Sequence, residues 1–273
     1  MNNEYYKIFK QGSVTYFYSS LFFPSKVRKD VFSLYAFVRT ADDFVDSQPA
    51  QKDKFLEFTS EYRQAIKSKK STNQIIASMV ELCERKGFKE EWVESFLEVM
   101  EQDLYQTKCV SMDETIKYMY GSAEVVGLMM AKIMDLPEKA TASATLLGRA
   151  FQYINFIRDI AEDNTLGRQY LPMQLTKKFG LKNLSQEEAE AKPKQFEALI
   201  FEQLDIYQDW MCQARVGFGY IPKRFRVPII TSARMYDWTA KQIRKDPMVV
   251  FRTKVKPTPL QVFGEIVINW WSN

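Results

Sequence analysis

A chain of 273 residues, 46% of them hydrophobic, can bury a substantial core and is too apolar to be disordered. Its formal net charge of +4, with both signs interspersed, lacks the concentrated basic surface that nucleic acids need, so no nucleic acid is expected among its partners. Histidine is absent, which excludes His-based triads, His-ligated zinc and Glu-x-x-His di-iron sites; Asp and Glu are left as metal ligands, and their oxygens favour hard cations such as magnesium or manganese.

Apolar residues recur at helical spacing from end to end, while alternating strand patterns bounded by hairpin turns are hard to find. The pattern predicts an all-α protein with helices over 4–20, 25–47, 51–69, 72–86, 89–105, 111–135, 138–165, 186–214, 226–246 and 257–271. Breaks at Phe23-Pro24-Ser25, Gln48-Pro49, Lys86-Gly87, Leu136-Pro137 and Gly167 use proline's missing N–H or glycine's freedom to end a helix. No composition shift marks a linker, so residues 1–273 read as one domain. The N-terminal MNNEYYKIFK lacks the apolar core of a signal peptide, and no window approaches the ~20 apolar residues of a spanning helix. Cys83, Cys109 and Cys212 are scattered and odd in number, which fits a reducing, cytoplasmic setting without a disulfide framework.

On the helix over 25–47, Tyr35, Arg39, Asp42 and Asp46 fall within about 60° of arc with Asp43 beside them, while Leu34, Phe37, Ala41, Phe44 and Val45 turn the other way. Over 111–135, Gly121, Ala123 and Gly127 permit close backbone approach, and Met129, Met130 and Met134 offer adaptable apolar surface. That combination reads equally as a core helix or as the lining of an apolar cavity. In QYINFIRDIAEDNTLGRQYLP (152–172), Gln152, Asn155, Arg158, Asp159, Glu162 and Asp163 share one arc, and Tyr153, Ile154, Phe156, Ile157, Ile160 and Ala161 the other.

An ionic face on an amphipathic helix is ordinarily a solvated one. Here the construction repeats: D-x-x-x-D occurs at Asp42/Asp46 and at Asp159/Asp163, each pair preceded by an arginine. Six carboxylates, Asp43 and Glu162 included, against Arg39 and Arg158 leave four uncompensated negative charges. Like charges at i,i+4 cost a few tenths of a kcal/mol, and an unpaired desolvated carboxylate costs several. Facing each other, such helices call for cations. The segment from Met173 to about Ser185 reads as a loop or short turn that could cover a site, the last quarter is basic, and VFGEIVINWW (262–271) reads as a packed terminal helix rather than an anchor.

Two such helices across an apolar bundle are suited to holding a diphosphate through magnesium while its hydrocarbon tail lies in a water-free cavity. Aromatic faces such as Tyr16, Phe17, Tyr35 and Tyr120 suit a carbocation. YAFVRTADDFVD (35–46) resembles the first aspartate motif of the squalene/phytoene synthase family, and NFIRDIAEDNTLGRQYLP (155–172) its second, including the G-R-x-Y-L-P ending. YMYGSAEVVG (118–127) is similar to the family's small-residue helix, and the resemblance covers essentially the whole chain.

The resemblance implies an isoprenoid-synthase-like helical bundle around a central apolar cavity and a magnesium-dependent head-to-head prenyltransferase. It implies that Asp42, Asp46, Asp159 and Asp163 bind magnesium, supported by Asn155 and Glu162. Arg39, Arg158, Arg168, Tyr170 and Arg252 would hold diphosphate, and Ser13, Tyr35, Tyr120, Gln152 and Tyr236 would line the reaction site. One departure is Gly12, where many relatives have a histidine before the serine, followed by Val14 rather than a polar residue. The implied reaction joins two allylic prenyl diphosphates through a cyclopropylcarbinyl diphosphate. Proton loss then gives phytoene or dehydrosqualene, and hydride from NADPH gives squalene. There is no dinucleotide fingerprint, so NADPH is not expected. The G-R-Q-Y-L-P form, with Ser19 and Ser20 leaving room in a pocket, points to two geranylgeranyl diphosphates giving phytoene. The alternatives are a farnesyl-using dehydrosqualene or squalene synthase, and, from another class, a non-catalytic relative acting in assembly or binding. A product of this size partitions into lipid, so peripheral membrane association is expected.

Overall fold

The computed structural model describes residues 3–105 and 108–271. It is all helical: among the described residues there is no strand, only an isolated parallel bridge between Lys108 and Gln169. The predicted helix over 4–20 is two, α1 (Asn3–Gly12) and α2 (Val14–Ser20). Ser13 breaks it, taking an extended backbone and accepting the Tyr16 N–H with its hydroxyl, which restarts the helix as an N-cap does. At this break Gly12 makes room for a neighbour, because a Cβ there would overlap the hydroxyl of Tyr35 and displace it. The space that a larger residue would fill is occupied by a site tyrosine.

Then come α3 (Ser25–Asp46), α4 (Lys52–Ser68), α5 (Gln74–Lys86) and α6 (Glu90–Asp103), close to their predicted bounds. α3 is pinned to α5 by a buried acid: Asp30 receives two guanidinium bonds from Arg85, at 2.7 and 3.0 Å. Truncating one partner of such a pair strands a buried charge, at about 3–5 kcal/mol.

The predicted helix over 111–135 runs as α7 (Met112–Met119), a π-helical turn (Tyr120–Glu124) and α8 (Val125–Ile133). The one over 138–165 follows a short 3₁₀ turn as α9 (Thr141–Arg158) and α10 (Ile160–Thr165), interrupted at Asp159. Gly127 of α8 and Gly148 of α9 let these helices close on each other: a Cβ on Gly127 would meet the Ala144 carbonyl, and one on Gly148 the Ala123 carbonyl.

The expected loop after Met173 begins with α11 (Met173–Lys178). The predicted helix over 186–214 is divided into α12 (Gln186–Ala191) and α13 (Pro193–Arg215), because Pro193 takes the first helical position, where no N–H is needed. α14 (Lys223–Lys245), the short α15 (Val249–Arg252) and α16 (Pro259–Trp271) complete the chain.

α9 is the central helix, packed on α8, α13 and α14. Its buried face carries Tyr153, Ile154, Phe156 and Ile157, in the arc that the sequence marks as apolar, each side chain contributing about 1.5–3 kcal/mol of transfer free energy. Tyr153 is fully buried with its hydroxyl donated to Gln203 at 2.5 Å. The bundle is hollow, enclosing a cavity of about 1000 Å³.

Candidate active site

The two acidic faces meet at one end of that cavity. From α3 come Tyr35, Arg39, Asp42, Asp43 and Asp46, and from α9 and α10 come Gln152, Asn155, Arg158, Asp159, Glu162 and Asp163, all lining the same space. Tyr35 is held by its ring stacking on Phe9, centroids 3.7 Å apart. Although Asp159 leaves helical geometry, Asp163 still donates its N–H to the Asp159 carbonyl at 2.8 Å, so the i,i+4 relation of the two acids survives the break.

Five of these six carboxylates, all but Asp163, are met by a basic side chain. Arg39 pairs with Asp42 at 2.7 Å and Asp43 at 2.5 Å. Arg158 grips Asp159 with two donors, at 2.8 and 2.5 Å. Lys254 reaches Asp159 at 3.5 Å and also pairs with Glu162. Arg168, 6% exposed, joins the two halves: its guanidinium donates to Asp46 at 2.5 Å and to the carbonyls of Val45 and Asp103, and its backbone N–H donates to the Asp163 carbonyl. Seven acids and five bases line the cavity, so the chain itself neutralises more of the charge than the two arginines of the motifs suggest.

The neutralisation is incomplete. Burial and the neighbouring Asp46 raise the Asp42 carboxyl to about 7, against the opposing pull of Arg39. Although a third of its side chain is open, it opens into this crowded cavity rather than to bulk water. Burial and the neighbouring Asp159 raise Asp163 to about 8. Near neutral pH both acids retain protons that a divalent cation would displace. Asn155 offers a buried Oδ1 that accepts no hydrogen bond. Among the described residues, no three acidic or cysteine side chains are gathered closely enough to hold a metal as they stand. Their ion pairs with Arg39, Arg158, Arg168 and Lys254 account for this. By donor chemistry the set fits a hard divalent cation, which Asp42, Asp46, Asp159, Asp163, Asn155 and Glu162 could hold once the pairs open.

Behind the ionic mouth the walls become aromatic and then aliphatic. Tyr16 and Tyr236 share a hydrogen bond at 2.9 Å, and Phe151 stacks on Tyr236 at 4.4 Å. Deeper walls include Leu34, Met130, Met134, Phe218 and Ile229. Ser19 and Ser20 do line this space, their hydroxyls taken up by helix carbonyls and by Ser232.

Other expected residues fall elsewhere. Tyr120 is 38% exposed and lies outside the cavity lining; Tyr118 lines it, donating to the buried Asp103 at 2.5 Å. The π-helical turn explains the exchange. Counting back from Met130 and Val126 at 3.6 residues per turn leads to about 119, between the two tyrosines, and the wider turn moves the cavity face to Tyr118. Arg252 is outside the lining too, its exposed guanidinium paired with Asp246. Phe17 is buried in the core rather than at the cavity. Tyr170, expected to hold diphosphate, is a buried part of the wall, stacked on Phe156 at 4.5 Å. Ser13 lines the cavity, but its hydroxyl already serves the α2 cap. Asp103, Lys254 and Lys256 were not legible as site residues, because only the packed chain brings them there.

A family model described as squalene/phytoene synthase matches residues 9–261. The chain belongs to the squalene/phytoene synthase family. It is 26% identical to the 15-cis-phytoene synthase of a Paracoccus species over 96% of this chain and 88% of that one. It is 30% identical to the 15-cis-phytoene synthase of Pantoea ananas over 82% and 76%. Its fold matches the crystal structure of a dehydrosqualene synthase with a TM-score of 0.85 at 20% identity, covering 99% of this chain and 96% of that one. As a squalene/phytoene synthase the protein is a prenyltransferase that condenses prenyl diphosphates head to head. Members of the family are typically metal-dependent.

Proposed function

We propose that the protein joins two geranylgeranyl diphosphates to give phytoene by way of a cyclopropylcarbinyl diphosphate, with magnesium held by Asp42, Asp46, Asp159 and Asp163 and supported by Asn155 and Glu162. The observation that carries this reading is the cavity: about 1000 Å³, charged at one end and apolar along its depth, at the upper limit of ordinary ligand sites and so suited to two long chains. Small wall residues, Ser19, Ser20, Ser143, Ala144 and Gly148, leave that depth open.

When bound, the metal neutralises charge on the diphosphate and makes it a better leaving group. Arg39, Arg158 and Arg168 exchange carboxylate partners for diphosphate oxygens, which orients the leaving group at the mouth and the allylic carbon inward. The faces of Tyr16, Tyr35, Phe151 and Tyr236 stabilise the carbocation without offering it a nucleophile, since burial holds the Tyr16, Tyr35 and Tyr236 hydroxyls protonated. The apolar depth excludes water that would quench it. The product is released to lipid by a protein that associates peripherally with membranes.

Incubating the purified protein and magnesium with twenty- and fifteen-carbon diphosphates, with and without NADPH, tests the assignment. Phytoene from the longer substrate, independent of NADPH, is expected. Exclusive use of farnesyl diphosphate would refute the choice of substrate.

A further inference from the structure

Among the large apolar side chains that stand exposed, four belong to α16: Leu260 (83%), Phe263 (56%), Val267 (41%) and Ile268 (53%). At about 100° per residue they form one stripe, opposite Val262, Ile266 and Asn269, which are buried toward α2 and α14. A helix apolar on both sides has no face suited to water. At 13 residues it is also too short to cross the roughly 30 Å apolar core of a bilayer, and no helix among the described residues is long and apolar enough to do so.

The surroundings of the stripe indicate what covers it. The one charged residue of α16, Glu265, is directed to Arg234 of α14 at 3.2 Å. α2, beside it, contains no charged residue at all. The Arg234–Glu265 pair and the bond from Asn269 to Thr231 at 3.0 Å set α16 antiparallel to α14. The first turn of α14, with exposed Lys223 and Arg224, therefore projects beyond the C-terminal end of α16, while Lys256 at the cavity precedes its N-terminal end. An uncharged stripe bounded by basic groups complements an anionic lipid surface. Beneath it, Val14 and Met235 line the cavity and belong to the same small apolar cluster as Val262 and Ile266, so a single layer of side chains separates α16 from the interior. The four side chains expose roughly 400 Å², about half of what each partner contributes to a standard protein interface, and a second copy would bring basic ends together.

We propose that the outer face of α16 is the surface by which the protein docks on an anionic bilayer, next to the cavity wall formed by α2 and α14. The proposal rests on the reading above only in that a water-insoluble product needs a lipid acceptor. The test is flotation of the full chain with vesicles of phosphatidylcholine and phosphatidylglycerol, and of phosphatidylcholine alone, in the absence of substrate. The wild-type protein should float with the anionic vesicles, less with the neutral ones and less at high salt. Leu260→Ser combined with Phe263→Ser should lower the bound fraction by roughly tenfold or more, since each side chain removed from water is worth about a factor of ten. Circular dichroism, thermal midpoint and turnover of detergent-dispersed substrate should match wild type, because neither residue lines the cavity. Flotation unchanged by the substitutions, no flotation of the wild type, or a wild-type dimer in sedimentation that the substitutions dissociate would each overturn the proposal. Product analysis, run separately, reads the reaction, so a wrong substrate assignment would leave the flotation result standing.

Discussion

Replacing Arg168 by Met separates the structural and the catalytic work of one side chain. Arg168 lies between the two acidic helices, 6% exposed, with bonds to Asp46 at 2.5 Å and to the carbonyls of Val45 and Asp103 at 3.2 and 3.3 Å. Methionine of similar length keeps most of the packing but strands the two buried carbonyls, at about 1–3 kcal/mol each. Asp46, with 39% of its side chain exposed, can hydrate again, so its loss adds little. A total of about 2–6 kcal/mol corresponds to a fall of roughly 4–24 °C in thermal midpoint for a domain of this size. If Arg168 also holds diphosphate, kcat/KM should fall about 100-fold. Magnesium affinity, read by titration without substrate, should stay equal or rise, because Asp46 no longer competes for a guanidinium. A midpoint within about 2 °C of wild type, or magnesium affinity falling with activity, would refute this account of the residue.

The raised Asp42 and Asp163 carboxyls, at about 7 and about 8, give a pH dependence of definite sign. The folded metal-free protein binds more protons than the unfolded chain, so its thermal midpoint should fall as pH rises from about 5 to about 8, while the stabilisation added by magnesium grows over the same interval; a metal-free midpoint that rises would contradict it. Tyr118→Phe removes a bond to a buried carboxylate and should lower turnover about 10–100-fold, whereas Tyr120→Phe should remain within about twofold; equal effects in steady-state assays would undo the distinction between cavity and surface. Ser20→Phe should fill part of the deep wall and shift the preference from twenty- toward fifteen-carbon substrate by at least about tenfold, measured as a ratio of kcat/KM values.

Much of this protein could be read from local pattern. The 3.6-residue period placed the helices, and the arcs of α3 and α9 that it marked as ionic are the ones that line the cavity. Ser13, Asp159 and Pro193 interrupt predicted helices because a cap, a helix end and a missing N–H act over a single residue, a shorter span than periodicity can register. The exchange of Tyr120 for Tyr118 is of another kind: a π-helical turn changes the phase of a helix without changing its apparent pattern.

The sequence by itself determined the chemistry: no histidine, two acid pairs at i,i+4, and arginines in step with them, since residue type and helical phase are local properties. Tertiary packing decided how that charge is balanced. Arg168 meets Asp46 from 122 positions away and Lys254 meets Glu162 from 92, and no local rule could anticipate either pairing. It also decided that α16 turns one apolar face inward and leaves another outside, because which side of a helix apolar on two faces is covered depends on the neighbours and not on the helix.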